Sequence, residues 1–191
     1  MIESFDDYDS LLSRLRVLIE ERSPKLIGIE GYMGSGKTPL SCRLGSDLNA
    51  GVVEIDCSLF EMLYPDGSHS QPKDTPYINR LDLDDLANKL AVAQASRSIV
   101  IVEGICLSDV LVRIDQRAAL TIYLKLLCGE LRQWFDSFEQ MKYDAAPGTF
   151  GNLRRDQFEY HRRVRPHENA DLELIQLGDC PYPEGSYVSR R

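Results

Sequence analysis

The sequence predicts an α/β fold, a three-layer sandwich in which helices cover both faces of a mostly parallel five-stranded sheet. Short apolar runs alternate with helical patterns along most of the 191 residues, an arrangement typical of a parallel sheet with crossover helices. The hydrophobic content of 43% is that of a folded globule, and the length suits one domain. No internal repeat divides the chain, so we expect a single domain over residues 1–191.

The first half of the chain begins with an amphipathic helix. Its apolar residues recur at helical spacing from Tyr8 to Ile19, and Asp9 or Ser10 is available as the N-cap. Ser23-Pro24 ends this helix, because proline cannot continue it. The elements expected next are a strand at 25–30, a helix that runs to about Leu48, a strand at 52–55, a long loop at 57–80 and a helix at 82–96.

The second half continues the alternation of strands and helices. The run Ser98–Val102 is apolar enough for a strand that is buried on both faces. The elements expected after it are a short helix at 107–113, a strand at 120–127, a helix at 130–142, a bend at 145–151, a helix at 153–164 and a last strand at 171–177. Residues 178–191 hold two prolines and two glycines and are expected to form a loosely held tail.

A complete phosphate-binding motif, G-x-x-x-x-G-K-[ST], lies between the first strand and the next helix as Gly31–Thr38. Its glycines let backbone N–H groups turn toward a phosphate, and the start of the helix presents its positive end to the same anion. Lys37 would reach the β/γ-phosphate oxygens, and the Thr38 hydroxyl would bind Mg²⁺. The residues expected to hold ATP are Gly31, Gly34, Ser35, Gly36, Lys37, Thr38, Pro39 and, from a later helix, Arg155.

Two carboxylates stand where ligand-binding residues are expected. Ligands of parallel α/β sheets bind at the carboxyl ends of the strands, where Asp56 follows the second strand and Glu103 follows the third. Glu103 can balance the Mg²⁺ ion that Thr38 holds. Asp56 precedes the long loop and is expected to act as general base toward an acceptor hydroxyl. The alternatives are a helix-capping glutamate and an ordinary loop aspartate.

A basic helix follows in an otherwise acidic chain. Its arginines crowd into twelve residues and are Arg154, Arg155, Arg162, Arg163 and Arg165. Mobile arginines stabilise charge on a transferring phosphoryl group, and the Pro147–Gly151 bend would let residues 143–166 close as a lid. We therefore expect Arg162 and Arg163 to act in catalysis together with Lys37. The alternative is a solvated basic helix that pairs with neighbouring glutamates.

Composition narrows the choice of partners. A net charge of −8 and a pI near 4.9 argue against broad binding to nucleic acid or anionic membranes. Met1–Asp7 is acidic where a signal peptide would be basic, and no apolar run approaches the ~20 residues needed to span a bilayer. The five cysteines are an odd number and lie far apart, which is typical of reduced thiols, and the lack of a C-x-x-C pair argues against a structural zinc site. We expect a cytoplasmic protein whose partners are a nucleoside triphosphate and a small hydroxylated acceptor, with its oligomeric state left open.

Residues 25–177 resemble the uridine kinase branch of the P-loop kinases, a group similar also to phosphoribulokinase and bacterial pantothenate kinase. The residues that carry the resemblance are Gly31–Thr38, Ile55-Asp56, the run 99–105, Arg155-Asp156, Val164–Pro166 and Ala170–Leu172. The resemblance implies a P-loop NTPase-type fold with sheet order 2-3-1-4-5 and a helical lid. It also implies transfer of the γ-phosphoryl group of ATP to a hydroxyl, with Asp56 as the base and Glu103 beside the metal.

Departures from the family pattern fall where the acceptor is chosen. Pro39 stands where the family has a second serine or threonine, and only the first aspartate of the pair after the second strand is present. Another P-loop kinase of the sugar-acid, adenylylsulfate or antibiotic type is therefore an alternative. A nucleotide-binding switch is another, although guanine-specific switches need N-K-x-D and Asn88–Ala91 lacks the aspartate.

Overall fold

The structure, a computed structural model, describes residues 2–59, 75–128, 133–134, 140–142, 144–145 and 152–178. At its centre six parallel strands form one sheet, to which a short antiparallel strand is added. The strands are β1 (Glu3–Phe5), β2 (Leu26–Gly31), β3 (Gly51–Glu54), β4 (Val100–Gly104), β5 (Leu120–Cys128), β6 (Gln133–Trp134) and β7 (Leu172–Gly178). Their order across the sheet is β3-β4-β2-β5-β7-β1, and β6 pairs with β5.

The five strands expected from the sequence are present, and their order 2-3-1-4-5 is confirmed by β3-β4-β2-β5-β7. The central strands β2 and β4 are buried along their whole length, because helices cover both faces of the sheet. The count of five is wrong, since Glu3–Phe5 adds a sixth parallel strand beside Leu172–Leu174 of β7. Three residues, two of them polar, are too few to show a strand pattern in the sequence.

Helices form a layer on each face of the sheet, as expected. They are α1 (Tyr8–Arg22), α2 (Lys37–Asp47), α3 (Leu83–Ser96), α4 (Leu107–Arg113), α5 (Asn152–Val164) and α6 (Pro166–Asn169). On one face α1 and α2 pack in a cluster that includes Leu15 and Leu44. On the other face α3, α4 and α5 contribute to a second cluster that includes Leu86, Val110 and Tyr160. The site residues are thus carried by elements anchored in two apolar cores.

The cap of α1 differs from the expectation. Asp7, not Asp9 or Ser10, is the N-cap, and its side chain accepts a hydrogen bond of 2.8 Å from the backbone N–H of Ser10. The helix begins at Tyr8, so the first unpaired N–H groups lie within reach of the residue that precedes it.

The helix expected at 130–142 is wrong in its first part. Gln133 and Trp134 form β6 and pair with Cys128 and Leu127 of β5, while residues 140–142 are helical. Pairing with a neighbouring strand gives the backbone hydrogen-bond partners that local helical spacing does not reveal. Gly178 likewise belongs to β7 and not to the tail.

Some expectations lie outside the described residues. These are the loop at 60–74, the bend at 146–151 and the tail at 179–191. Of the expected lid at 143–166, residues 152–164 form α5, Arg165 is the N-cap of α6 and Pro166 is its first residue. Within the described ranges, no helix combines the length and the apolar character needed to cross a bilayer.

Candidate active site

The phosphate-binding motif forms a loop between β2 and α2 at the carboxyl end of the central strand. Gly34 and Gly36 have φ angles of +84° and +93°, which L side chains rarely adopt. Gly36 is the N-cap of α2, so the first backbone N–H groups of that helix lack intrahelical partners. The loop and the start of the helix together suit an anion such as phosphate.

The structure explains the residue types at three positions in and beside the motif. At Gly31 a Cβ would lie 2.6 Å from the carbonyl oxygen of Leu124 and 2.8 Å from Ser35 Oγ, so only glycine fits. Ser35 is buried, and its hydroxyl has no hydrogen-bond partner in the described part of the chain. Pro39 is the third residue of α2, where no intrahelical bond requires its missing N–H.

Lys37 lies against the phosphate loop. Its side chain is buried, and Nζ donates a hydrogen bond of 3.0 Å to the backbone carbonyl of Tyr32. The backbone N–H of Ser35 donates to the same carbonyl oxygen at 3.0 Å. The ammonium group is therefore held beside the loop that would carry the phosphates.

Thr38 and Glu103 meet at the carboxyl ends of adjacent strands. Thr38 Oγ1 donates a hydrogen bond of 2.6 Å to Glu103 Oε1. Burial raises the pKa of Glu103, although the hydrogen bond from Thr38 and the charge of Lys37 oppose the rise. A hydroxyl and a carboxylate are oxygen ligands of the kind that Mg²⁺ takes alongside water and phosphate oxygens. These two residues therefore fit a Mg²⁺ site.

Asp56 lies in a short 3₁₀ helix, Ile55–Ser58, that follows β3. Its Oδ1 accepts a hydrogen bond of 2.5 Å from the hydroxyl of Tyr77, which belongs to a second 3₁₀ helix, Tyr77–Arg80. Burial, followed by the charge of Asp56, raises the pKa of Tyr77, so this hydroxyl keeps its proton and donates. β3 pairs with β4 in parallel, and Glu54 lies opposite Glu103, so Asp56, two residues after Glu54, lies at the same end of the sheet as Glu103.

The arginines of α5 form ion pairs with different aspartates. Arg162 pairs with Asp144, and Arg163 pairs through both of its terminal nitrogens with Asp109 just inside α4. Arg155 Nε lies 4.0 Å from the carboxylate of its neighbour Asp156. None of these contacts joins an arginine to the phosphate loop, so the action of Arg162 and Arg163 on a phosphoryl group stays a prediction.

The interior face of α5 carries residues that the sequence analysis missed. Gln157 hydrogen-bonds the backbone of the phosphate loop, and the ring of Phe158 stacks on Tyr32 with centroids 5.5 Å apart. Tyr160 and His161 are also buried. The signal in the sequence was the uncharged stretch Gln157-Phe158 inside a basic helix, which marks a face turned to the core.

Glu30, the last residue before the motif, is another buried charge that the sequence did not single out. Its Oε1 accepts a hydrogen bond of 3.1 Å from the backbone N–H of Leu107 at the start of α4. Burial raises the pKa of Glu30 to about 7, while hydrogen bonds from the Tyr160 hydroxyl and from Leu107 and the charge of Lys37 act in the opposite direction. A carboxyl group that titrates near neutral pH thus lies directly behind the phosphate loop.

A cavity of about 190 Å³ lies beside Tyr77, on the face of the sheet that α3, α4 and α5 cover. Its lining includes Cys106, three carboxylates, two tyrosines and one guanidinium. The charged and aromatic residues are Asp109, Asp156, Glu159, Arg163, Tyr77 and Tyr160. Tyr77 links this cavity to Asp56, because it lines the cavity and its hydroxyl donates to the Asp56 carboxylate.

Comparison with solved structures agrees with this geometry at the level of the fold. A possible uridine kinase from Bacillus stearothermophilus matches over 87% of this chain and 96% of its own, with a TM-score of 0.54 and 16% identity. The chain has a uridine kinase-like P-loop kinase fold. A fructose transport system kinase from Silicibacter sp. matches over 88% of this chain and 97% of its own, with a TM-score of 0.44 and 18% identity. No protein-family model and no curated protein sequence matches the chain.

Proposed function

We propose that the protein transfers the γ-phosphoryl group of ATP to a hydroxyl of a small molecule, in the manner of uridine kinase-like enzymes. The observation that carries the proposal is the position of Asp56, just after β3, at the same end of the sheet as the Thr38–Glu103 pair. Among the described residues Asp56 hydrogen-bonds Tyr77 and not the phosphate loop, and a carboxylate in this position has a reason to be there if an acceptor must be deprotonated. A nucleotide-binding protein without an acceptor has no need of it.

The phosphate-loop side would bind the donor. Backbone N–H groups of the loop would hold the β- and γ-phosphates, and Lys37 would add a positive charge against them. Thr38 and Glu103 would hold Mg²⁺, which neutralises the charge on the phosphate oxygens when it is bound. The chain's own contribution is to fix these groups before the nucleotide arrives.

The Asp56 side would bind the acceptor. The hydrogen bond from Tyr77 uses Oδ1 of Asp56 and leaves Oδ2 for an acceptor hydroxyl. As the acceptor oxygen bonds to the γ-phosphorus and the bond to ADP breaks, the hydroxyl proton would pass to Asp56. Tyr77 would keep the carboxylate oriented during this step.

The cavity beside Tyr77 favours an acceptor without a negative charge. Among its described lining residues, three carboxylates face one guanidinium, and that guanidinium, Arg163, is already paired with Asp109. An anionic acceptor would meet like charges there, which is unfavourable. Neutral hydroxylated molecules such as nucleosides and sugars are therefore preferred over sugar acids and adenylylsulfate.

The decisive experiment is a coupled ADP assay across nucleosides, neutral sugars, amino sugars and sugar acids, followed by mass spectrometry of the product. Asp56→Asn keeps the shape of the side chain and loses the base. We expect it to lower acceptor phosphorylation by on the order of 10²–10⁴, while the affinity for ATP and Mg²⁺ changes by no more than about threefold.

The switch hypothesis predicts a different result from the same assay. No acceptor would raise ADP production above the basal rate, and Asp56→Asn would leave that rate and any nucleotide-dependent partner binding unchanged. Phosphorylation of sugar acids in preference to neutral acceptors would contradict the assignment of the cavity while preserving the kinase.

A further inference from the structure

One turn of α5 contacts the phosphate loop directly. Gln157 is 0% exposed although its side chain is polar. Its Oε1 accepts a hydrogen bond of 3.3 Å from the backbone N–H of Met33, and its Nε2 donates one of 3.4 Å to the backbone carbonyl of Gly31. The two contacts flank Tyr32, so a single amide group spans the first part of the loop.

Packing keeps this amide in place. The ring of Tyr32 stacks on Phe158, the next residue of α5, and both rings are buried. A buried polar group that loses its hydrogen bond costs about 1–3 kcal/mol. Gln157 therefore favours the loop conformation in which the groups of Gly31 and Met33 are both paired.

Asp156, the residue before Gln157, contacts the Tyr77 segment that hydrogen-bonds Asp56. Asp156 Oδ2 accepts a hydrogen bond of 2.7 Å from the backbone N–H of Tyr77. The hydroxyl of Tyr77 in turn donates to Asp56 at 2.5 Å. Two adjacent residues of α5 thus reach the phosphate loop on one side and, through Tyr77, the Asp56 carboxylate on the other.

We propose that Gln157 and Asp156 are positioning residues that set, from one helical turn, the separation between the phosphates of ATP and the Asp56 carboxylate. The inference rests on the phosphotransferase function proposed above. Transfer requires the reacting atoms to lie about 3–3.5 Å apart and aligned, and a displacement of about 1 Å can cost on the order of 10²-fold in rate. Gln157 acts through the loop, and Asp156 acts on Asp56 through Tyr77 while its own carboxylate also lines the cavity beside Tyr77.

The donor half of the proposal is tested by Gln157→Met, which keeps the length of the side chain and removes both amide groups. We expect the backbone amide of Met33 to exchange with solvent about tenfold faster by NMR, and a non-hydrolysable ATP analogue with Mg²⁺ to bind about tenfold more weakly. Gln157→Glu retains an acceptor for Met33 and should restore most of the protection of that amide.

A matched control is Gln94→Met on α3. Gln94 donates its amide hydrogen bond to Gln116, away from the phosphate loop. This variant should leave both the Met33 exchange rate and the affinity for the analogue unchanged. If Gln157→Met behaves like Gln94→Met, Gln157 does not position the loop and the donor half is overturned.

The acceptor half is tested by Asp156→Ala and Tyr77→Phe. Both should lower kcat for the acceptor found in the panel by about tenfold or more, while the affinity for the ATP analogue stays within about twofold. Asp156→Asn can still accept from Tyr77 and should recover most of the lost kcat. A merely structural role would instead lower thermal stability with equal changes in nucleotide affinity and kcat, and that result overturns the acceptor half.

The experiments distinguish an incorrect kinase assignment from an incorrect role for Gln157. If wild type binds the analogue but phosphorylates no acceptor, the kinase assignment and the acceptor half fall together. The exchange rate of Met33 and the affinity of Gln157→Met for the analogue still decide the donor half, because neither measurement depends on turnover.

Discussion

The phosphate-loop side and the arginine side of the site differ in how firmly the folded chain fixes them. Lys37 and Glu103 are buried and hydrogen-bonded to neighbours at 3.0 Å or less. The side chains of Arg162 and Arg163 are 47% and 62% exposed and pair with aspartates near the surface. Exposed ion pairs contribute about 0–1 kcal/mol, so these arginines can exchange partners at little cost. The groups around the phosphate-binding motif are therefore held in place by the folded chain, whereas the arginine side suits a part that moves.

Lys37→Ala should have the largest effect if the donor side is pre-formed around this charge. It removes an ammonium group that is held against the loop, so we expect turnover to be lost and ATP binding to weaken. Calorimetric titration with ATP and the ADP assay measure both, and circular dichroism checks that the fold survives. A variant that binds and turns over ATP like wild type would show that the loop is not a phosphate site.

Thr38→Ala should have the next largest effect and tests whether Thr38 and Glu103 bind Mg²⁺. The hydroxyl that bonds Glu103 is lost, so we expect activity to fall by about ten- to a hundredfold and the apparent Mg²⁺ affinity to decrease. Titration of activity with Mg²⁺ at fixed ATP measures the change. Thr38→Ser keeps the hydroxyl and is the control, and equal losses in the two variants would exclude the metal role.

The double variant Arg162→Ala and Arg163→Ala tests whether the exposed side moves to the phosphates. We expect kcat to fall by about tenfold and nucleotide affinity to change less, because such arginines act on charge that develops during transfer. Steady-state kinetics and analogue binding separate the two effects. Arg113→Ala, an exposed arginine on α4, is the control. Unchanged kinetics in the double variant would support a solvated basic helix instead.

Glu30→Gln should have the smallest effect and concerns stability on the buried side. The pKa of Glu30 is raised to about 7 in the folded chain, so the stability that its protonated form contributes is present at acid pH and is lost as pH rises through neutrality. Burial is the main cause of this rise in pKa, and the groups that also act on Glu30 are the Tyr160 hydroxyl, the backbone N–H of Leu107, Lys37 and Asp109. We expect the melting temperature of wild type to fall between pH 5 and pH 8 by a few degrees more than that of Glu30→Gln. Parallel melting curves against pH for the two proteins would contradict this.

The sequence by itself determined the phosphate-binding motif and the alternation of strands and helices, while the resemblance to the uridine kinase branch supplied the order of the central strands. The loop is local in the chain, since its glycines, lysine and threonine lie within eight consecutive residues between a strand and a helix. The rule for parallel sheets predicted that Asp56 and Glu103 lie at the carboxyl ends of strands. In the structure Asp56 follows β3, and Glu103 is the last residue but one of β4. Local sequence patterns were therefore enough to predict the residues of the phosphate-binding motif.

Only the tertiary structure decided how α5 meets the site. Gln157 lies 124 residues from Met33 along the chain, and Asp156 lies 79 residues from Tyr77. Sequence patterns drew attention to the exposed arginines of this helix, whereas its buried polar residues make the contacts to the site. The short strand Glu3–Phe5 was missed for a related reason, because its place in the sheet comes from pairing with β7. Contacts between distant segments depend on how helices pack on the sheet, and no local spacing encodes that packing.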